Sequence, residues 1–189
     1  MMVQDGPLTG QQNTCNIESV AIEDSDKATS YAYASCFEVF NRGFILEDMV
    51  SLSRSDETSS LCASVCLYNM ALAMHLKGLT QGGMGYVRKA GGLYQKVFSI
   101  LSNLNVSPTH SSSSLLLATV MNIIACEGEL RGPNDAAATQ WKNAFREIFS
   151  WLTTSDDIPA IYSNPEECDL FSTCAVMFSN QNFFGAAAA

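Results

Sequence analysis

From residue 28 onward the chain alternates between long apolar blocks and short polar breaks. Each block is longer than a typical strand of about five or six residues. No segment shows the Val/Ile/Thr alternation of a half-buried strand. In the first block Tyr33, Cys36 or Phe37, Phe40 and Phe44 recur at steps of three and four, the helical period. Residues 51–60 read as a polar loop. Residues 61–76 are apolar almost all round, as in a helix packed between others. Lys77-Gly78 is expected to end that helix with a glycine cap, and 80–85 to form a flexible loop. Further helices are predicted over 86–104, 115–130, 136–152 and 169–178. Ser114 and Asp135 stand as N-caps of the second and third of these. Residues 153–167 read as a loop whose Asp156-Asp157 and Glu166-Glu167 are solvated carboxylates. The pattern predicts an all-α chain. Its organisation is a disordered acidic tail over 1–25, a helical domain over 26–180 and a flexible tail over 181–189.

The helical blocks repeat one another. Cys36-x-x-x-Phe40 followed by Phe44, Ala90-x-x-x-Tyr94 followed by Phe98, and Ala137-x-x-x-Trp141 followed by Phe145 share one pattern. In each, a small residue precedes an aromatic by one turn, and a Phe follows one turn later. A small residue lets a neighbouring helix approach, and the aromatic fills the space beside it. A second pattern precedes two of these, Leu67-Tyr68-Asn69-Met70-Ala71 with Met74, and Val120-Met121-Asn122-Ile123-Ile124. Each pair reads as a helical hairpin, A then B.

These residues resemble the tetratricopeptide repeat over roughly residues 28–152. Leu67, Tyr68, Asn69, Met70, Ala71, Met74 and Gly78 stand at the helix A and turn positions, and Ala90, Tyr94, Val97 and Phe98 at helix B. Val120, Asn122, Ile123 and Ile124, then Ala137, Trp141, Ala144 and Phe145, form a second unit. Cys36 to Phe44 matches helix B alone. The units are longer than the family's, Ala71 and Ile124 replace its helix A glycine, and no proline closes them in the usual place. The look of the chain is similar to tetratricopeptide-like proteins of unicellular algae. The resemblance implies antiparallel helical hairpins stacked as a short right-handed solenoid, and a protein-binding groove. It also implies groove contacts for Asn69 and Asn122, against the alternative of hydrogen bonds that pin helices. The places that would carry clamp cations hold Val65, Tyr68, Leu72, Ala118, Met121 and Ala125, which favours an apolar or mixed groove.

Charge changes this picture in one region. The chain of 189 residues has a net charge of −9, which argues against general nucleic-acid binding. Residues 58–126 nevertheless contain no Asp or Glu, while they carry Lys77, Arg88, Lys89 and Lys96. These four either pair with acidic flanks or form a cationic strip for an acidic peptide. The longest mostly apolar run, 115–126, is short of the ~20 residues of a membrane span. The N-terminus has no basic and apolar signal pattern, so an intracellular protein, cytoplasmic or nuclear, is expected.

Seven cysteines at irregular spacing predict reduced, mostly buried thiols rather than a disulfide framework or a metal site. His75 and His110 offer no dyad with a nucleophile, and Gly82-Gly83-Met84-Gly85 fits no phosphate-binding motif. No cofactor and no catalysis are expected. The sequence therefore predicts a non-enzymatic interaction module with a protein or peptide partner. Its candidate contacts are Asn69, Asn122, Lys77, Arg88, Lys89 and Lys96. The alternatives are a self-associating helical subunit with Phe183-Phe184 as contacts, and a small enzyme or ligand carrier with an apolar pocket between helices.

Overall fold

The structure, a computed structural model, describes residues 16–22, 37, 40–47, 56–104, 110–154 and 164–179. It is mostly helical. Among the described residues, five helices follow a two-stranded antiparallel sheet: β1 (Asn16–Ala21), β2 (Arg42–Glu47), α1 (Asp56–Gln81), α2 (Met84–Ser102), α3 (His110–Arg131), α4 (Ala136–Thr154) and α5 (Pro165–Ser179). Each helix packs chiefly on its neighbours in the chain, while β2 lies against α1 and β1 against α3. The turns between α1 and α2 and between α3 and α4 are short enough to make each pair a hairpin.

Local chemistry accounts for the helix ends. Asp56 and Glu57 sit in the first turn of α1, where the helix dipole favours negative charge. This starts the helix inside the stretch expected to be a loop. At the other end α1 runs past Lys77-Gly78 to Gln81. Gly82 takes a φ of 68° and the Gly83 N–H donates to the Gly78 carbonyl at 2.9 Å, a Schellman closure. Gly78 serves close packing instead: a Cβ there would lie 2.6 Å from Val87 Cγ2. Gly132, at φ 99°, ends α3 through a 2.8 Å bond from its N–H to the Gly128 carbonyl. Asp135 caps α4 as expected, accepting from the Ala137 N–H at 2.9 Å. Asn164 caps α5 from outside by accepting from the Glu167 N–H at 3.3 Å, and Pro165 takes the first helical position. Ser114 does not cap α3, which begins at His110.

The helical expectation holds for most of the described residues, and a small sheet is the departure from it. Residues 42–47, expected to continue a helix through Phe44, form β2, and 16–21, expected to be disordered, form β1. Their register runs from Asn16 opposite Glu47 to Ala21 opposite Arg42. Exposure alternates with the period of two: Ile17 and Ser19 are buried between exposed Glu18 and Val20, and Phe44 is buried beside exposed Ile45. Phe40 and Phe44 are both core residues, so their four-residue spacing reflects burial and not a shared helix face. Gly43 and β-branched Ile45 disfavour helix locally. The other residues of the tails, including Phe183-Phe184, lie outside the described residues, as do Cys15, Cys36 and the side chain of His110.

The core is threaded by aromatic rings. Phe171 of α5 stacks on Phe40 at 4.9 Å, Phe44 meets Tyr68 edge-on at 5.0 Å, and Tyr68 meets Tyr94 at 5.4 Å. Phe98 of α2 meets Trp141 of α4 at 5.0 Å, and Phe145 meets Phe178 at 5.1 Å. The last helix thus joins this core through Phe171 and Phe178. Two stretches, α1 and Ser112–Arg131 of α3, are long and apolar enough to cross a membrane by length and composition alone. Most of the α3 stretch is buried inside the fold, as in the core helix of a folded domain.

Candidate functional site

The two asparagines make their hydrogen bonds inside the chain. Asn69 projects from α1 onto the edge of β2 away from β1. Its Oδ1 accepts from the Phe44 N–H at 3.0 Å, and its Nδ2 donates to the Phe44 carbonyl at 2.6 Å. It meets an extended backbone with both ends of its amide, and that backbone belongs to its own chain. Asn122 on α3 is fully buried. Its Nδ2 donates to the Tyr68 hydroxyl at 2.8 Å, which donates in turn to the Arg42 carbonyl at 3.2 Å. A single polar relay therefore ties α3 to α1 and α1 to β2. Val65, Tyr68, Leu72, Ala118, Met121 and Ala125 are all buried. They form the core and do not line an open groove.

The four cations divide between two helices. Arg88, Lys89 and Lys96 are exposed on the outer side of α2, opposite its buried Val87, Ala90, Tyr94 and Val97. Helical spacing puts them within one broad face that also holds Gly85, Gly92, Gln95 and Ser99. Lys77 lies on α1, its ammonium 4.6 Å from the centre of the Tyr86 ring, a cation–π contact. Among the described residues the ion pairs are Arg42–Glu166 at 3.0 Å and Arg131–Glu127 at 3.2 Å, and none involves these four cations. Positive charge on α2 is thus unneutralised by any described carboxylate.

A second group of polar residues is sealed in the core. The Cys126 sulfur lies 3.6 Å and 3.8 Å from the two ring nitrogens of His75. Phe37 covers the imidazole at 4.1 Å, and Tyr94 approaches it at 6.1 Å. Burial pulls the His75 pKa down to about 4 and pushes the Cys126 thiol up, with Glu127 and Glu129 adding to the latter. Burial also raises both tyrosines well above their ordinary value. At neutral pH this is a neutral thiol beside a neutral imidazole, the reverse of an activated thiolate pair. Two polar atoms of the core, Tyr94 Oη and Asn122 Oδ1, are buried without a hydrogen-bond partner among the described residues.

A third arrangement was not legible as such in the sequence. Glu167, expected in a solvated loop, is buried at the start of α5. The Ser114 hydroxyl donates to its Oε2 at 2.6 Å, and the Ser19 hydroxyl donates to its Oε1. Arg42 then donates from Nε to Ser19 Oγ at 3.1 Å and pairs with exposed Glu166. One carboxylate so clasps β1, α3 and α5. The signal was present in Asn164-Pro165-Glu166-Glu167, a helix start with acidic residues at its second and third positions.

Of the described cysteines, Cys62, Cys66, Cys126 and Cys168 are free thiols; Cys126 and Cys174 are buried and Cys66 is exposed. No group of three or more potential metal ligands occurs among the described residues. Comparison of the chain with known protein families, with curated proteins and with solved structures gives no match.

Proposed function

We propose that the protein is a non-enzymatic interaction module whose cationic α2 face binds an acidic segment of a partner protein. The observation that carries this reading is the placement of Arg88, Lys89 and Lys96. They share one exposed face, on a stretch without a single acidic residue, and meet no described carboxylate. An acidic segment laid along α2 would gain Coulomb attraction there, while the acidic remainder of the chain would repel it and so set its position. Gly85 and Gly92 leave open space on the same face, where a Cβ would meet nothing within 4 Å. A partner backbone could approach closely at both.

The hairpin stacking of a degenerate tetratricopeptide array belongs to the same proposal. Its support is the packing of successive helices on one another and the Phe98–Trp141 contact between two helices that carry the repeated pattern. The role of Asn69 and Asn122 in this reading is to hold the scaffold.

The test is fluorescence anisotropy with a labelled oligoglutamate peptide, against a neutral Gly/Ser peptide of the same length. Binding to oligoglutamate alone, weakened by added salt and lost in Arg88→Glu/Lys89→Glu/Lys96→Glu, is the expected result. Equal binding of both peptides, or binding unchanged in the triple variant, would overturn it.

A further inference from the structure

We propose that the exposed face of α1 is a self-association seam that pairs antiparallel with the same face of a second copy. α1 buries Val65, Tyr68, Leu72 and His75 against the fold. Its opposite face is a continuous stripe: Asp56, Ser59, Ala63, Cys66, Met70, Ala73, Lys77 and Thr80. Every one of these residues is exposed. The steps between them alternate three and four, the spacing of a coiled-coil seam, with apolar side chains at the four central positions and polar ones at both ends. The centre of the stripe is apolar from Ala63 to Ala73, and Met70 is 44% exposed. α1 is about 39 Å long at 1.5 Å per residue, long enough for such a pairing.

The order of residues along the stripe selects the occupant. In an antiparallel coiled coil the two seam positions of one helix face each other's counterparts on the next. With the twofold axis midway between Cys66 and Met70, Met70 lies against Cys66 of the second copy, and Ala63 against its Ala73. The large side chain meets a smaller one, and the alanines let the axes come close. Lys77 then lies opposite Ser59 of the second copy, one turn from its Asp56. Each basic end therefore lies toward the acidic end of the second copy, with Lys77 keeping its own Tyr86 ring beside it. A parallel pair would instead set Asp56 against Asp56 and Lys77 against Lys77. An acidic peptide would meet Asp56 and Glu57 with like charge, as would an anionic lipid surface. The stripe is self-complementary only in reverse. This surface is distinct from the α2 face of the proposed function and stands independently of it.

Sedimentation velocity of the full chain across a wide concentration range tests the seam. The wild type is expected to pass from monomer to dimer. Met70→Glu is expected to weaken the dimer by about tenfold or more, since it buries a carboxylate in an apolar contact. Lys77→Asp is expected to weaken it as well, and Asp56→Lys in the same chain to restore it. Under oxidation, Met70→Cys is expected to give a disulfide-linked dimer through Cys66 of the second copy. That link is expected to be lost in Met70→Cys/Cys66→Ser. Circular dichroism of each variant verifies the fold, and the charge-swap pair keeps the test decisive should Met70→Glu fail to fold. A wild type that stays monomeric, or a dimer indifferent to both Met70→Glu and Lys77→Asp, would overturn the proposal. So would a monomer that floats with phosphatidylcholine/phosphatidylserine vesicles, which would make a lipid surface the occupant.

Discussion

The carboxamide of Asn69 satisfies both backbone polar groups of Phe44, with bonds of 3.0 Å to its N–H and 2.6 Å to its carbonyl. β1 pairs with the other edge of β2, so Asn69 does the work of a third strand at this position. Without it an edge strand would be left with orphan groups against a helix. Asn69→Ala is expected to cost about 2 kcal/mol in urea denaturation and to speed amide exchange at Phe44. Asn69→Asp is expected to cost at least as much, because a carboxylate would face the Phe44 carbonyl.

Tyr68 is the middle of the relay from Asn122 to Arg42. Tyr68→Phe removes the hydroxyl and strands the Asn122 amide and the Arg42 carbonyl together. A loss of about 1–3 kcal/mol is expected. Because Asn122 Oδ1 already lacks a partner, Asn122→Leu in the Tyr68→Phe background is expected to add little further loss. Chemical denaturation of the double-mutant cycle would measure that non-additivity.

Glu167 joins three elements through two serine hydroxyls. Glu167→Ala leaves Ser19 and Ser114 without their acceptor and is expected to cost about 3 kcal/mol, since one side chain satisfies two buried hydroxyls. Glu167→Gln is expected to fall between wild type and Ala. Hydrogen exchange is expected to show the loss first in β1 and the start of α5.

Two glycines should respond in opposite directions to alanine. At Gly78 the new Cβ would lie 2.6 Å from Val87 Cγ2 and 3.1 Å from its backbone nitrogen, so α2 must shift. Gly78→Ala is expected to destabilise by about 1–3 kcal/mol, and Val87→Ala to recover part of that. At Gly92 the Cβ would point into open space on a helix. Gly92→Ala is expected to stabilise by about 0.5–1 kcal/mol, read as a higher Tm.

His75 makes stability depend on pH. Its folded pKa, about 4, lies below the unfolded value of about 6.5 because burial penalises the charged ring. Between these values the unfolded chain binds the extra proton, so stability is complete above pH ~6.5 and falls as pH drops toward ~4. The loss amounts to about 3 kcal/mol across that window. Denaturation at a series of pH values should show this slope in wild type and a flatter one in His75→Phe.

The sequence by itself determined the helical bulk. The three- and four-residue periodicity of the apolar positions, the glycine-rich breaks and the Asp135 cap act through local backbone and burial preferences, which neighbouring residues suffice to define. It also determined the acid-free stretch and its four cations, since charge content needs no coordinates. It misplaced the segment 42–47, where the spacing of Phe40 and Phe44 mimicked a helix. Strand pairing with residues 16–21 is non-local, and no short window contains it. Gly78 likewise reads as a helix stop until α2 is seen pressing on it. Only the tertiary structure decided what Asn69, Asn122 and Glu167 bind, because their partners lie in distant parts of the chain. A polar side chain reads the same in sequence whether it faces water, a partner or the protein's own backbone. Packing alone selects among these, because a buried amide or carboxylate is stable only where the fold brings donors and acceptors to meet it.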